Sequence, residues 1–358
     1  MSDARWMGAA LALAARGLGR VRPNPAVGCV IVSEGRVLGR ARTADGGRPH
    51  AETQALAQAG AAARGATAYV TLEPCAHRGK TPSCADALIA AGVARVVVAM
   101  RDPDPRTDGA GISRMREAGI EVTEGVGEAR ARAMQAGFVS RVTRGRPAVT
   151  LKLATTLDGR IATAAGESRW ITGPAARAHV HARRAAHDAV MVGAGTARAD
   201  DPRLTVRGLG ARPQPVRIVT ASDLNLPVGL GLIRTAREVP TWLVHGTGDG
   251  TALAAAGAKL LPAPLRARRI DLNEALQAIG AEGINQIYCE GGGGLAASLL
   301  RAGLVDRLEL YTAGAAIGAD GTPGLAAMGL ATLADAPRLS LIETRPLGGD
   351  VLSVWAPA

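Results

Sequence analysis

The chain has 358 residues, 47% hydrophobic and 20% charged, without a low-complexity tract; this suits two soluble globular domains of roughly 150–200 residues each and excludes disorder. A formal net charge of +11 raises nucleic acid as a partner, but the arginines are scattered, the only lysines are Lys80, Lys152 and Lys259, and aromatics at 2% leave few stacking platforms. No apolar run reaches the roughly 18 residues of a membrane span, and four cysteines make no disulfide framework in so long a chain, so anionic small ligands and a reducing cytosolic setting fit best.

Residues 7–15 are apolar and follow Arg5, but Asp3 and the spacing of Trp6, Ala10, Leu13 and Ala14, closed by Gly17 and Gly19, predict a first helix rather than a signal-peptide core. A hairpin follows, with strands at 27–33 and 36–39 about the turn Glu34-Gly35. Next come an Ala-rich helix at 50–63, a strand at 68–72, a helix at 83–91 and a strand at 95–99. Asp102-Pro103-Asp104-Pro105 breaks the chain into a loop, then a helix at 112–118 and a strand at 120–123 are expected. The polar, turn-rich Thr143-Arg144-Gly145-Arg146-Pro147 places a domain boundary between 1–145 and 146–358. In the second part strands read at 149–154, 189–192, 216–219, 241–244, 284–288 and 308–311 with helices between them, so both parts are α/β.

His50-Ala51-Glu52, Pro74-Cys75 and Cys84 carry the first chemistry. One imidazole and two thiolates fill three tetrahedral zinc positions and leave the fourth for a water whose pKa the metal lowers, as a catalytic site requires. Glu52, beside the metal but not ligating it, is then the proton carrier of a zinc deaminase, although a carboxylate in a first helical turn is also an ordinary cap. Eight residues separate the thiols, where nucleobase deaminases have two, which lengthens the loop that holds His77 and Lys80. Asn24, between Pro23 and Pro25, is either a turn residue or an amide that reads a pyrimidine edge. Cys29 and Cys289 sit in apolar strands as packing residues. His179, His181 and His187 look like a second metal cluster, but spacing by two puts the first two on different helix faces. The glycine runs 193–196 and 291–294 each follow a strand and could cradle phosphate, a signal too common among 46 glycines to assign a cofactor alone. Lys152, isolated in an apolar strand, has a readily shifted pKa; it either donates a proton and steadies a sugar or pairs with Glu290.

Two blocks of residues resemble the bifunctional riboflavin-biosynthesis deaminase-reductase family. The first is Pro23-Asn24-Pro25-Ala26-Val27-Gly28, Pro49-His50-Ala51-Glu52 and the run from Val70 to Cys84; the second is Leu157-Asp158-Gly159-Arg160, Trp170-Ile171-Thr172-Gly173, Gly193-Ala194-Gly195-Thr196, the run from Asp200 to Arg207 and Glu290-Gly291-Gly292. The resemblance implies a cytidine-deaminase-like N-terminal domain and a dihydrofolate-reductase-like C-terminal domain. It implies hydrolysis of the 2-amino group of 2,5-diamino-6-(ribosylamino)pyrimidin-4-one 5'-phosphate, with one zinc per chain, and then NADPH reduction of the ribose to a ribityl chain. On the same ground Asn24, His77, Lys80, Lys152, Ser168, Arg184, Leu204, Arg207 and Glu290 are substrate contacts, with Lys80, Arg184 and Arg207 toward phosphate. Ala154, Trp170, Thr196, Asp200 and Ser222 are implied cofactor contacts, with the turn of Gly292, Gly293, Gly294, Leu295, Ala296, Ala297 and Ser298. Thr43 stands where the family often has a histidine, and Gln135, expected near the domain junction, where an asparagine is common. The rival readings are a polynucleotide or free-base deaminase and a basic nucleic-acid-binding protein with a structural zinc; a homo-oligomer that pairs through the reductase domain is expected.

Overall fold

The computed structural model describes residues 2–77 and 83–358, and the chain divides into two compact units, Met1–Gly145 and Arg146–Ala358. Among the described residues no helix is long and apolar enough to cross a membrane.

The first unit is built on five strands in the order Arg36–Arg42, Gly28–Ser33, Thr67–Val70, Arg95–Val98, Glu121–Glu124. Gly28–Ser33 is antiparallel to both of its neighbours, and the last three strands are parallel. Side chains alternate across a strand, so Gly28 and the paired Ile31 and Gly39 lie on opposite faces. A Cβ on Gly28 would lie 2.0 Å from the Ala10 carbonyl oxygen, and one on Gly39 would lie 2.1 Å from that of Ala55. The helices Asp3–Ala15 and Ala51–Ala59 thus reach the two faces at backbone distance, and Val30, Ile31, Val70, Val96 and Val97 form the core between helices and sheet. The Ala-rich helix expected at 50–63 ends at Ala59 and tightens into the 3-10 turn Gly60–Ala63. Two helices that the sequence pattern does not mark, Glu128–Met134 and Ala136–Arg144, close the unit.

The second unit has a nine-stranded sheet in the order Lys259–Pro262, Thr241–Thr247, Val216–Asp223, Ala189–Gly193, Gln286–Cys289, Ala148–Thr156, Arg307–Ala313, Asp350–Pro357, Leu339–Leu347. The seven strands from Lys259–Pro262 to Arg307–Ala313 are parallel, and the C-terminal hairpin joins antiparallel. Val149, Leu151, Ile287, Cys289 and Leu308 pack on one face with the helices Leu272–Ala281 and Gly293–Arg301. Cys289 is thus a packing residue, as is Cys29 in the first unit. In parallel sheets ligands gather beyond the C-terminal strand ends. That is where Ala154, Gly193, Ser222 and Glu290 lie.

Candidate active sites

His50 is the N-cap of the helix Ala51–Ala59; its extended backbone frees the imidazole from the helix, while Glu52 turns inward and is 3% exposed. Cys84 opens the helix Cys84–Ala91, where the Ser83 hydroxyl accepts a hydrogen bond from the Asp86 amide at 3.1 Å and fixes the first turn. Cys75 follows the strand Thr67–Val70 on an irregular segment. The donor atoms of His50, Cys75 and Cys84 all lie within 4.8 Å of one another, with Nδ1 of His50 3.2 Å from Sγ of Cys84 and 3.8 Å from Sγ of Cys75. Cys84 holds the Cys75 thiol down to about 4 by hydrogen bonding, and the same contact pushes Cys84 far up. A cation would take both as thiolates.

This donor set fits zinc: a nitrogen and two sulfurs are its preferred ligands, and no fourth His, Cys, Asp or Glu joins the cluster among the described residues. Beside it Oε2 of Glu52 is buried without a hydrogen-bond partner. Burial, and then the charge of Cys75, lift the Glu52 carboxyl from 4.5 to about 7. A buried acid with one free oxygen that titrates near neutrality is poised to take up and release a proton.

The cavity over this cluster encloses about 330 Å³ and includes Asn24, Thr43, His77 and Phe138 in its wall. Asn24 donates from Nδ2 to the Gly47 carbonyl at 2.7 Å. Nδ1 of His77 is buried without a partner, so a ligand can use it. Lys80 lies outside the described residues. Sequence reasoning passed over the acidic side of this cavity. Asp102 and Asp104 line it, and burial lifts Asp102 to about 7. Glu73, 3% exposed, accepts from the amides of Asp102, Gly109, Gly111 and Ile112 at 2.9–3.2 Å and pins their loop against the site. The two prolines of Asp102-Pro103-Asp104-Pro105 are the sequence signal of this loop, and as a chain break alone they do not disclose that its carboxylates face the cavity.

The second unit's cavity is larger, about 670 Å³. Of the expected cofactor contacts, Ala154, Trp170, Thr196, Asp200, Gly292 and Gly293 line it; Ser222, Gly294, Leu295, Ala296, Ala297 and Ser298 do not. Ala296 and Ala297 are buried within the helix Gly293–Arg301, and the Ser298 hydroxyl donates to the Gly294 carbonyl at 2.8 Å. Gly292 precedes this helix with φ +53°, and a Cβ there would stand 2.8 Å from the Thr196 hydroxyl, so the glycine turn leaves room for a ligand between two backbone loops. Trp170 is 67% exposed beneath the Arg177 guanidinium, 4.8 Å from its ring.

All six substrate residues expected in this unit, Lys152, Ser168, Arg184, Leu204, Arg207 and Glu290, line the same cavity. Arg184 grips both oxygens of Glu290, at 2.5 and 2.9 Å, and donates its remaining nitrogen to the Thr205 carbonyl. Burial would raise the Glu290 carboxyl, yet the charge of Arg184 holds it below the usual range. The alternative in which Lys152 pairs with Glu290 is not what is found: Glu290 is taken by Arg184, and Lys152 is half-buried with no ion pair among the described residues. Burial lowers its pKa. Arg207 is exposed at the rim, its amide hydrogen-bonded to Nδ1 of His181 at 3.2 Å. Leu204 is 2% exposed at φ +52°, a conformation that strains a non-glycine residue and turns the chain at the cavity wall. The three histidines form no cluster: His179 bonds Tyr311, His181 bonds the Arg207 amide and His187 bonds Thr150.

An α/β unit with an open three-ligand metal cluster beside a buried acid, followed by a mostly parallel α/β unit with a glycine-lined cleft, defines a zinc-type deaminase joined to a nucleotide-binding reductase. Comparison agrees with this in both halves. Residues 1–100 match the cytidine and deoxycytidylate deaminase zinc-binding region, and residues 147–353 match the RibD C-terminal domain. The riboflavin biosynthesis protein RibD of Escherichia coli K12 is 42% identical over 98% of both chains, and that of Bacillus amyloliquefaciens 38% over 97% of this chain and 94% of its own. The solved RibD of Acinetobacter baumannii superposes with a TM-score of 0.91 at 38% identity, covering 99% of each chain. The Thermotoga maritima diaminohydroxyphosphoribosylaminopyrimidine deaminase / 5-amino-6-(5-phosphoribosylamino)uracil reductase gives 0.87 at 32%, again over 99% of each. The chain belongs to the RibD family of riboflavin biosynthesis proteins.

Proposed function

We propose that the chain carries out two successive steps on one phosphorylated pyrimidine. It deaminates 2,5-diamino-6-(5-phosphoribosylamino)pyrimidin-4(3H)-one and then reduces 5-amino-6-(5-phosphoribosylamino)uracil to the ribitylamino product. The observation that carries the first half is the buried Glu52 carboxyl, one oxygen of which has no hydrogen-bond partner, beside the open His50, Cys75 and Cys84 cluster. Zinc, held by those three residues, supplies Lewis acidity and an acidified water. Glu52 takes the proton of the attacking water as its oxygen bonds to the ring carbon, then returns it to the amino nitrogen; the C–N bond breaks and ammonia leaves. Asn24 and His77 orient the ring, and Lys80 is assigned to the phosphate.

In the second unit NADPH, when bound, supplies the hydride. Thr196, Asp200, Trp170, Ala154 and the glycine turn are assigned to hold it, with Ser222 and residues 294–298 around them. Lys152, unpaired and with its pKa lowered by burial, is assigned to deliver the proton that must accompany the hydride to the sugar carbonyl. Ser168, Leu204, the Arg184 and Glu290 pair and Arg207 position the ribose and its phosphate. The enzyme is cytoplasmic in this reading, has no nucleic-acid partner, and pairs with a second copy through its second unit, whose edge strand Leu339–Leu347 exposes Leu341 and Ile342 at 54% and 60%. A basic nucleic-acid binder with a structural zinc would need a closed four-ligand site, which the described residues do not supply. Incubation with the diaminopyrimidine nucleotide and NADPH, following ammonia and NADPH absorbance together, tests both halves. Neither signal changing would overturn the reading.

A further inference from the structure

The helix Pro174–Ala185 carries His181 and Arg184 to the second cavity, yet it has little apolar surface to hold it there. It buries only the small Ala176 and Ala185, with Val180 partly buried. Hydrophobic packing is non-directional and leaves such a helix free to roll. Polar contacts supply the missing direction. Arg183 meets Glu309 through two nitrogens, Nη2 to Oε1 at 2.8 Å and Nε to Oε2 at 3.1 Å. Arg184, the next residue, meets Glu290 in the same two-point manner. Consecutive helix positions diverge by about 100°. Two forked clamps that far apart, one on the strand Arg307–Ala313 and one just past the strand Gln286–Cys289, fix the roll of the helix where a single clamp would act as a pivot.

Glu309 is built for this. It is 1% exposed and also accepts from Arg307 at 3.1 Å, Tyr288 at 3.3 Å and Tyr311 at 3.4 Å, so its carboxylate cannot swing. Tyr311 in turn meets Nδ1 of His179, two turns before the helix end, at 2.7 Å. Nδ1–H of His187 donates to the Arg183 carbonyl at 2.7 Å, leaving Nε2 to accept from Thr150 at 3.1 Å. None of these groups lines the cavity, although Glu309 is the direct strand neighbour of Lys152, which does.

We propose that Glu309 is a positioning residue: by clamping Arg183 it sets the roll of the helix Pro174–Ala185 and thereby places Arg184 and His181 against the reductase substrate. This rests on the reductase reading above. In the full-length chain the double variant Arg183→Met, Glu309→Gln removes both charges together, so neither is left buried alone. The KM for 5-amino-6-(5-phosphoribosylamino)uracil should rise about tenfold, the scale of a small misplacement at an active site. The KM for NADPH should rise less, because that helix reaches the assigned cofactor residues only through Arg177 over Trp170, and the rate of ammonia release should not change. Mere loss of folded enzyme would lower kcat and leave both KM values alone. An unchanged substrate KM, or an equal rise in both KM values, would overturn the proposal. If the double variant does not fold, Glu309→Asp decides, because it keeps the charge but withdraws the carboxylate by about 1.5 Å; it must raise the same KM, and by more than that for NADPH. Absence of NADPH oxidation in the unaltered chain would instead strike the functional reading itself, a result visible before any variant is made.

Discussion

Glutamine in place of Glu52 should move stability and activity in opposite directions. The carboxyl is 3% exposed, one oxygen has no partner, and burial lifts it from 4.5 to about 7. At about 1.4 kcal/mol per pKa unit, keeping it ionised in the metal-free protein costs about 3 kcal/mol. An acid whose folded pKa lies above its unfolded value binds more protons when folded. The cost is therefore absent below the unfolded value, grows as pH rises between 4.5 and about 7, and is complete above that. Glutamine has no charge to bury. Metal-free Glu52→Gln should exceed the unaltered chain in unfolding free energy by up to about 3 kcal/mol at pH 8 and by little at pH 4.5. The same amide cannot shuttle a proton, so ammonia release with zinc loaded should fall by about two to four orders of magnitude. Urea unfolding of the two metal-free proteins at both pH values, with an ammonia assay on the zinc-loaded forms, measures both effects. Full ammonia release in the variant would remove Glu52 from the chemistry. An unchanged stability difference between the two pH values would refute the argument from burial.

Cys84→Ser should greatly reduce the zinc retained after dialysis, measured by metal analysis; full occupancy would point to another ligand set. The second unit alone, residues 146–358, should fold and oxidise NADPH on the deaminated substrate, since every residue assigned to that step lies within it; a folded fragment that does not bind NADPH would count against the assignment. Arg207→Ala should weaken reductase substrate binding by about 2 kcal/mol, or about thirtyfold, through loss of a charge-assisted phosphate contact, with ammonia release unaffected. Equal losses in both activities would show that the sites are not independent.

What the sequence discloses follows from how narrowly each function constrains residue type. Zinc accepts few donors, so His50, Cys75 and Cys84 can be picked out from spacing alone, and the structure gathers them. A buried acid declares nothing locally. Glu73 and Asp102 become meaningful only when the loop folds back so that four amides converge on one carboxylate. The edge strand Leu339–Leu347 escaped for a related reason: most of its residues are exposed, and a bulge between Leu341 and Glu343 breaks the alternation that marks a half-buried strand. In the helix Glu128–Met134 arginines alternate with small alanines, and only Ala131 is fully buried, which leaves no apolar stripe to read. The Arg183 and Glu309 clamp joins residues 126 positions apart and could not be seen before the strands were ordered.

The two departures from the family pattern, Thr43 and Gln135, turn out to share one task. Thr43 is 1% exposed; its hydroxyl accepts from the Val27 amide at 3.0 Å and donates to the Pro25 carbonyl at 3.2 Å. Gln135 donates to the Ala26 carbonyl at 2.7 Å inside the first unit. Both side chains therefore hold the segment Pro25-Ala26-Val27, directly after Asn24. A histidine at position 43 would carry a ring nitrogen for ligands, whereas the Thr43 hydroxyl proton is already engaged by backbone. The segment Pro25-Ala26-Val27 is thus held by Thr43 and Gln135, and beside it the cavity wall carries Asn24, whose Nδ2 donates to the Gly47 carbonyl, and Nδ1 of His77, buried without a partner.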